Sequence, residues 1–326
     1  MRHMPAFLYL APMRGFTTAL YRNLYIKHFD GVNAAIAPFI PTLSQKQINT
    51  AHIRDILPEN NHGMPVIPQI LSNDPKGFIE LAGVFFDYGY TTVNWNLGCP
   101  FPMVAKKNRG SGLLPHPERI DAFLDKVLAE MRARLSIKLR LGREKTSEIL
   151  QLIPILNRYP LSEIIIHPRT GVQMYTGAAD LDAFAACLPR LNAPVVYNGD
   201  IFDLPSFYRL CARFPAISRW MIGRGPLCNP FLPAVLQSGN EEITRPVERF
   251  KKFHDDLFTA YREEFSGPAH LVNRMKGYWQ YFAFSFSNGH KLFKRIKMLR
   301  SAEKYIAETD RFFEQEAIWQ PNLIFK

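Results

Sequence analysis

Asn94-Trp95-Asn96-Leu97-Gly98-Cys99-Pro100 closes a short apolar run, Tyr90–Trp95, with a tight turn that carries one thiol. A turn of this kind presents its side chain at the end of a strand, the edge where parallel α/β folds gather their chemistry. Gly-Cys-Pro alone decides little, because buried structural cysteines outnumber reactive ones. Its meaning depends on what lies on either side.

Short β-rich runs recur around it. Candidate strands are Phe7–Met13, Asn33–Ala37, Val66–Leu71, Thr92–Trp95, Ile137–Leu141, Glu163–His167, Pro194–Asn198 and Arg219–Ile222. Amphipathic stretches alternate with them: Lys76–Tyr88, Pro117–Leu135, Thr146–Asn157, Asp180–Leu188 and Pro205–Phe214. Such alternation implies a parallel sheet, and about eight strand–helix units match a (β/α)₈ TIM barrel. A doubly wound open sheet competes, but no Gly-x-Gly-x-x-Gly follows the first strand. From about Ile243 the pattern turns purely helical. The expected organisation is an α/β barrel over residues 1–238 and a small helical bundle over 239–326, divided near Ser238-Gly239-Asn240.

Bulk composition narrows the class. The chain has 326 residues, 47% hydrophobic and 21% charged, which describes a globular protein and excludes disordered or fibrous classes. A net charge of +11 points to a polyanionic partner. The four cysteines, Cys99, Cys187, Cys211 and Cys228, show no metal spacing and no disulfide density, as in a reducing compartment. The apolar part of the N-terminal segment is too short for a signal peptide, and no run is long enough to cross a membrane. The expectation is a cytoplasmic protein.

Seven of the eight candidate strands end in something chemically useful. These are Pro12-Met13-Arg14, Gln69, Asn96 with Cys99, Lys138 with Arg140, His167 with Arg169, Asn198-Gly199-Asp200, and Gly223-Arg224-Gly225. Any one suits a turn, a cap or a surface pair; seven at one edge exceed turn chemistry. The last two loops expose backbone N–H groups beside Arg224, as a phosphate cradle does. A cofactor anchored there would extend over the mouth toward Lys138, a cation suited to a ring that becomes anionic on reduction. Flavin mononucleotide (FMN) meets these demands. Metal is not expected, since His167 lacks a partner at ligand spacing.

In order, Ala11-Pro12-Met13, Gln69, Asn96-Leu97-Gly98-Cys99-Pro100, Lys138-Leu139-Arg140-Leu141-Gly142, His167-Pro168-Arg169-Thr170-Gly171, Tyr197-Asn198-Gly199-Asp200 and Ile222-Gly223-Arg224-Gly225 resemble the tRNA-dihydrouridine synthase family. The resemblance spans about Ala11 to Gly225. It implies reduction of uridine in tRNA to 5,6-dihydrouridine with FMN and NADPH. Carried over by motif, Pro12, Met13, Arg14, Gln69, Lys138, His167, Asn198, Gly199, Asp200, Gly223 and Arg224 would contact FMN, and Cys99 would be the catalytic acid. Three departures fall on the RNA side. Phe101-Pro102-Met103 follow the Cys99 turn where the family often carries a Lys. Ala37-Pro38 replace a Thr-Glu, and His167-Pro168-Arg169-Thr170 replaces His-Gly-Arg-Thr.

The implied mechanism has reduced flavin delivering hydride to uracil C6 while a neutral thiol protonates C5 from the opposite face. Asn96 would hold the uracil edge, and the base must leave its stack to reach the site. Arg140 and Arg169 are further candidates for contact with the RNA. Between Asn273 and Ser301 stand Arg274, Lys276, Lys291, Lys294, Arg295, Lys297 and Arg300, with no Asp or Glu. The stripe reads as an RNA-binding face. The aromatics among it, Tyr278, Trp279, Tyr281, Phe282, Phe284, Phe286 and Phe293, could stack bases, but their helical spacing favours bundle core for most of them. Lys106-Lys107-Asn108-Arg109-Gly110 is a candidate RNA contact or lid. Two alternatives, a reductase of a free pyrimidine and a non-catalytic RNA-binding barrel, leave either the basic tail or the intact site residues without a use. An rRNA target stays open. A monomer is expected.

Overall fold

The computed structural model describes residues 6–42, 48–265 and 267–321. Residues 1–5, part of the N-terminal reading, and 322–326, the end of the expected bundle, lie outside these. Ten short strands form one sheet: β1 Phe7–Leu10, β2 Ala34–Ile36, β3 Ile40–Pro41, β4 Val66–Ile67, β5 Gln69–Leu71, β6 Thr92–Leu97, β7 Arg134–Gly142, β8 Ile164–Thr170, β9 Val195–Asn198 and β10 Arg219–Ile222. Every pairing is parallel, in the order β3-β5-β6-β7-β8-β9-β10-β1-β2-β4.

The two ends of that order are halves of the same two strands. β2 and β3 are separated by Ala37-Pro38-Phe39, and β4 and β5 by Pro68, which has no N–H to give a ladder. β2 pairs with β4, and β3 with β5. The Ala37 N–H bridges the gap to the Ile67 carbonyl at 3.0 Å. The ring therefore closes as an eight-stranded barrel, and all eight candidate strands fall on it.

Alternation along the strands sorts the side chains. On β6 and β7 the outward residues Val93, Trp95, Leu97, Leu135, Ile137, Leu139 and Leu141 pack beneath the helices. Trp95 stacks on Phe123 of the Pro117–Glu130 helix, with ring centroids 3.9 Å apart. Inward positions carry Gln69, Asn94, Asn96, Ser136, Lys138, Arg140, His167, Arg169 and Asn198. The barrel floor is apolar, from Tyr9, Ala34, Ile36, Ile165, Val196 and Met221. It is sealed by Glu163, which accepts hydrogen bonds from Tyr9 Oη and the Arg219 guanidinium, both at 3.0 Å. Polar groups thus gather at the strand C-terminal ends.

Helices Pro246–Glu264, Pro268–Phe282, Gly289–Ile296 and Ala302–Arg311 follow the barrel. Tyr278, Trp279, Phe282 and Phe286 are buried in one apolar cluster with Leu10, Tyr21 and Phe29. The tail therefore packs directly on the first strand–helix unit. Tyr278 Oη donates to the Phe16 carbonyl at 2.6 Å, and Arg274 donates to that of Gly15, tying the Pro268–Phe282 helix to the loop after β1.

Candidate active site

The Cys99 turn is set by the strand it follows. Asn96 Oδ1 accepts from the backbone N–H of Gly98 at 3.1 Å and of Cys99 at 2.8 Å. Asn96 Nδ2 donates to Gln69 Oε1 at 2.7 Å, Gln69 Nε2 to Asn94 Oδ1 at 2.7 Å, and Asn94 Nδ2 to Ser136 Oγ at 2.8 Å. All four side chains are buried, and the chain of bonds runs in one direction across β5, β6 and β7. Such satisfied buried networks fix geometry. The side chain of Asn96, expected to hold the uracil edge, thus spends its amide oxygen on the turn. The Cys99 carbonyl accepts from Ser111 N and Oγ, each at 3.0 Å. Gly110, at φ +57°, packs so closely that a Cβ there would lie 2.8 Å from that carbonyl.

The mouth of the barrel opens into a cavity of about 370 Å³. Among the expected residues, Pro12, Met13, Arg14, Asn96, Cys99, Lys138, Arg140, His167 and Arg224 line it. Gln69 lies beneath, and Asn198 Nδ2 donates to the Met221 carbonyl at 2.9 Å. A Cβ on Gly223 would come within 3.2 Å of Ala11 Cβ and Met13 Sδ, while one on Gly199 would collide with the Tyr197 hydroxyl. Asp200 bridges Arg169 and Arg224. Sequence reasoning missed Phe16, Phe39 and Tyr175, which also line the cavity. Tyr175 sits within the same stretch as His167 and Arg169, which was its only signal; Tyr281, one of the tail aromatics read as core, lines the cavity as well. Tyr175 lies 5.3 Å from both the Arg140 and Arg224 guanidiniums. Arg140 joins two loops, donating to the Gly98 carbonyl at 3.0 Å, Thr170 at 2.7 Å and Met174 at 2.6 Å.

Arg14, Lys138, Arg140 and Arg224 line the cavity, and among the described residues no carboxylate does. Burial, reinforced by Arg140, pushes Lys138 down to about 7. Burial and the surrounding cations hold His167 well below the usual imidazole range. Burial raises the Cys99 thiol, outweighing the opposing pull of a backbone hydrogen bond and of Arg14, Arg140 and Lys138. Cys99 is thus a neutral thiol at neutral pH, only 7% exposed, at the wall of a cationic pocket.

The basic tail residues divide. Lys291, Lys294, Lys297 and Arg300 are exposed at three-residue intervals. Arg295, by contrast, is tied to Glu308 at 2.8 Å and Glu316 at 3.0 Å, carboxylates that lie beyond the acid-free stretch. Lys276 Nζ caps the Lys297 and Leu299 carbonyls at 3.1 and 2.8 Å. Lys294→Glu is therefore expected to leave the melting temperature in place and to reduce the salt dependence of RNA binding by about one unit of log–log slope. Arg295→Glu should instead destabilise the fold by about 1–3 kcal/mol, by setting three carboxylates together. Melting curves and salt titrations of both variants check this; equal melting temperatures would refute the division.

Among the described residues no three His, Cys, Asp or Glu side chains group as metal ligands, and no helix is long and apolar enough to cross a membrane. The family model for dihydrouridine synthase (Dus) matches residues 9–316. The chain is 28% identical to tRNA-dihydrouridine(16) synthase of Haemophilus influenzae, over 90% of this chain and 96% of that protein. It is 28% identical to tRNA-dihydrouridine synthase B of Pasteurella multocida, over 71% and 69%. In fold it is similar to morphinone reductase, with a TM-score of 0.51 at 10% identity over 75% of this chain and 88% of that one.

Proposed function

Since this chain belongs to the dihydrouridine synthase family and forms 5,6-dihydrouridine in tRNA, we propose that it does so with Cys99 as the proton donor and FMN in the cationic pocket. The observation that carries this reading is that the neutral Cys99 thiol and Lys138 line one cavity. The residues fit a flavin. The volume suits a small cofactor, and Lys138 finds no hydrogen-bond acceptor among the described residues, so a ring that gains negative charge would compensate it. Pro12, Met13, Arg14, Lys138, His167 and Arg224 would hold the group directly. Gln69, Asn198, Gly199, Asp200 and Gly223 would support it from behind.

When bound, the flavin supplies the hydride that reaches uracil C6. Cys99 gives its thiol proton to C5 from the other face, so one hydride and one proton saturate the double bond. Asn96 orients the thiol through the turn, and Arg140 joins the Gly98 carbonyl to the loop after β8. Arg14 and Lys138 oppose negative charge developing on the pyrimidine. NADPH is the proposed reductant, and the protein acts as a cytoplasmic monomer. Arg274, Lys276, Lys294, Arg295 and Lys297 were the expected RNA contacts; exposure favours Lys294 and Lys297 among them. The relatives that the chain matches over 96% of their length carry position 16 in their names, so uridine 16 is the proposed target.

A dihydrouridine map of tRNA and rRNA from cells lacking the gene, set against the parent, tests this reading. Loss at position 16 is expected. Loss at another position would move the target, and loss confined to rRNA would move the substrate. An unchanged map, together with no uridine reduction in tRNA by the purified protein, would overturn the reading.

A further inference from the structure

At the back of the cavity, His167, Arg169 and Asp200 form a line of contacts whose effect on the His167 ring the reading above leaves open. Arg169, 2% exposed, lies between Asp200 and His167. Its guanidinium meets Asp200 Oδ1 at 3.2 Å and Oδ2 at 2.5 Å, and donates to the Gly177 carbonyl at 2.6 Å. Its NH1 reaches His167 Nε2 at 3.1 Å. Asp200 is itself held from the other side by Arg224 at 2.5 Å.

We propose that Asp200 and Arg169 are positioning residues that fix His167 as its Nδ1–H tautomer, so that the remaining ring N–H is offered to the ligand in the cavity. A guanidinium has only donors, so Nε2 must accept. Lys138, Arg140, Arg169 and Arg224 all act against a charge on the imidazole. A neutral ring has one proton, and with Nε2 accepting it sits on Nδ1. Among the described residues no protein group bonds Nδ1, and His167 lines the cavity. Asp200 keeps the guanidinium fork in register through two oxygens, the geometry that makes such pairs directional. The tautomer follows from these contacts alone; its use toward FMN rests on the function proposed above.

Nitrogen-15 NMR of histidine-labelled, flavin-free protein tests the tautomer, with His167→Gln to assign the signal. In the wild type, Nε2 is expected at the position of an unprotonated ring nitrogen. In Arg169→Met it should move toward the N–H position, as the ring reverts to a mixture. Asp200→Asn, altered at a partly exposed site, should shift it part of the way and serves if Arg169→Met does not fold. A wild-type ring protonated on Nε2, or an Nε2 signal unmoved in the variants that fold, overturns the proposal. Adding FMN then should move the Nδ1–H signal of the wild type downfield. Failure of FMN to bind at all would sink the flavin reading and leave the tautomer result standing; binding without that movement would sink the presentation of Nδ1–H.

Discussion

Cys99→Ala is expected to lower turnover by about 10²- to 10⁴-fold, the usual contribution of a positioned general acid, while flavin content and melting temperature stay close to wild type. The separation of effects follows from the local structure. What orders the turn is main chain: the Cys99 N–H on Asn96 and its carbonyl on Ser111. Alanine keeps all of these and removes only the sulfur. Cys99→Ser should restore the side-chain shape but little of the rate, because a hydroxyl gives up its proton far less readily than a thiol. Burial that raises a thiol is unsuited to a nucleophile and suited to an acid that must keep its proton until charge develops at C5. Single-turnover reduction of tRNA by flavin-loaded, pre-reduced protein gives the comparison. Rates within a few-fold of wild type would remove Cys99 as the acid.

The barrel was legible because its strands are short apolar runs separated by helical patterns, and the residues at the strand ends, Asn96, Lys138 and Arg140 among them, marked one edge. Prolines hid two details. Pro68 breaks Val66–Leu71, which reads as one strand, and β3 lies beyond Pro38, past the end of the Asn33–Ala37 strand; the pairing of β2 with β4 and of β3 with β5 shows the ring to be closed. The helix Ala19–His28 reads only as a charged, helix-like stretch without bounds, because its buried face includes Tyr21, Tyr25 and Arg22 rather than an aliphatic stripe. Arg22 is 1% exposed, and its two terminal nitrogens are held by Thr17, Asp55 and Asn61, partners up to 39 residues away. The same limit applies to the site. Residue types at strand ends identified what could react, but not which amide holds a turn or which arginine is already paired. Asn96, Arg169 and Arg295 were read as meeting a ligand, and each spends bonds on the protein itself. Those bonds connect segments distant in sequence, so no local pattern announces them.

Lys138→Met is expected to act in opposite directions on stability and on function. Folding lowers the Lys138 pKa from 10.5 to about 7, so below pH 7 the ammonium is charged in both folded and unfolded chains, and the fold bears the full penalty of burying it. Between pH 7 and 10.5 the unfolded chain binds the extra proton, and stability rises with pH across that window. Lys138 keeps some contact with solvent, which limits the penalty to about 2 kcal/mol. Methionine, of similar length and without charge, removes it. The flavin-free variant should therefore unfold at higher urea concentration than wild type at pH 6, with the difference shrinking toward pH 10. The same change deletes the cation facing the proposed flavin, so FMN affinity should fall and turnover drop by about 10²-fold. A residue kept at a cost to the empty fold is explained if a bound anionic ring offsets the charge, and FMN should accordingly stabilise the wild type more than the variant. Urea unfolding with and without FMN at pH 6 and 9 distinguishes the cases. If Lys138→Met destabilised the flavin-free protein at pH 6, or if FMN stabilised both forms equally, Lys138 would be a packing residue and the flavin assignment would lose its charge argument.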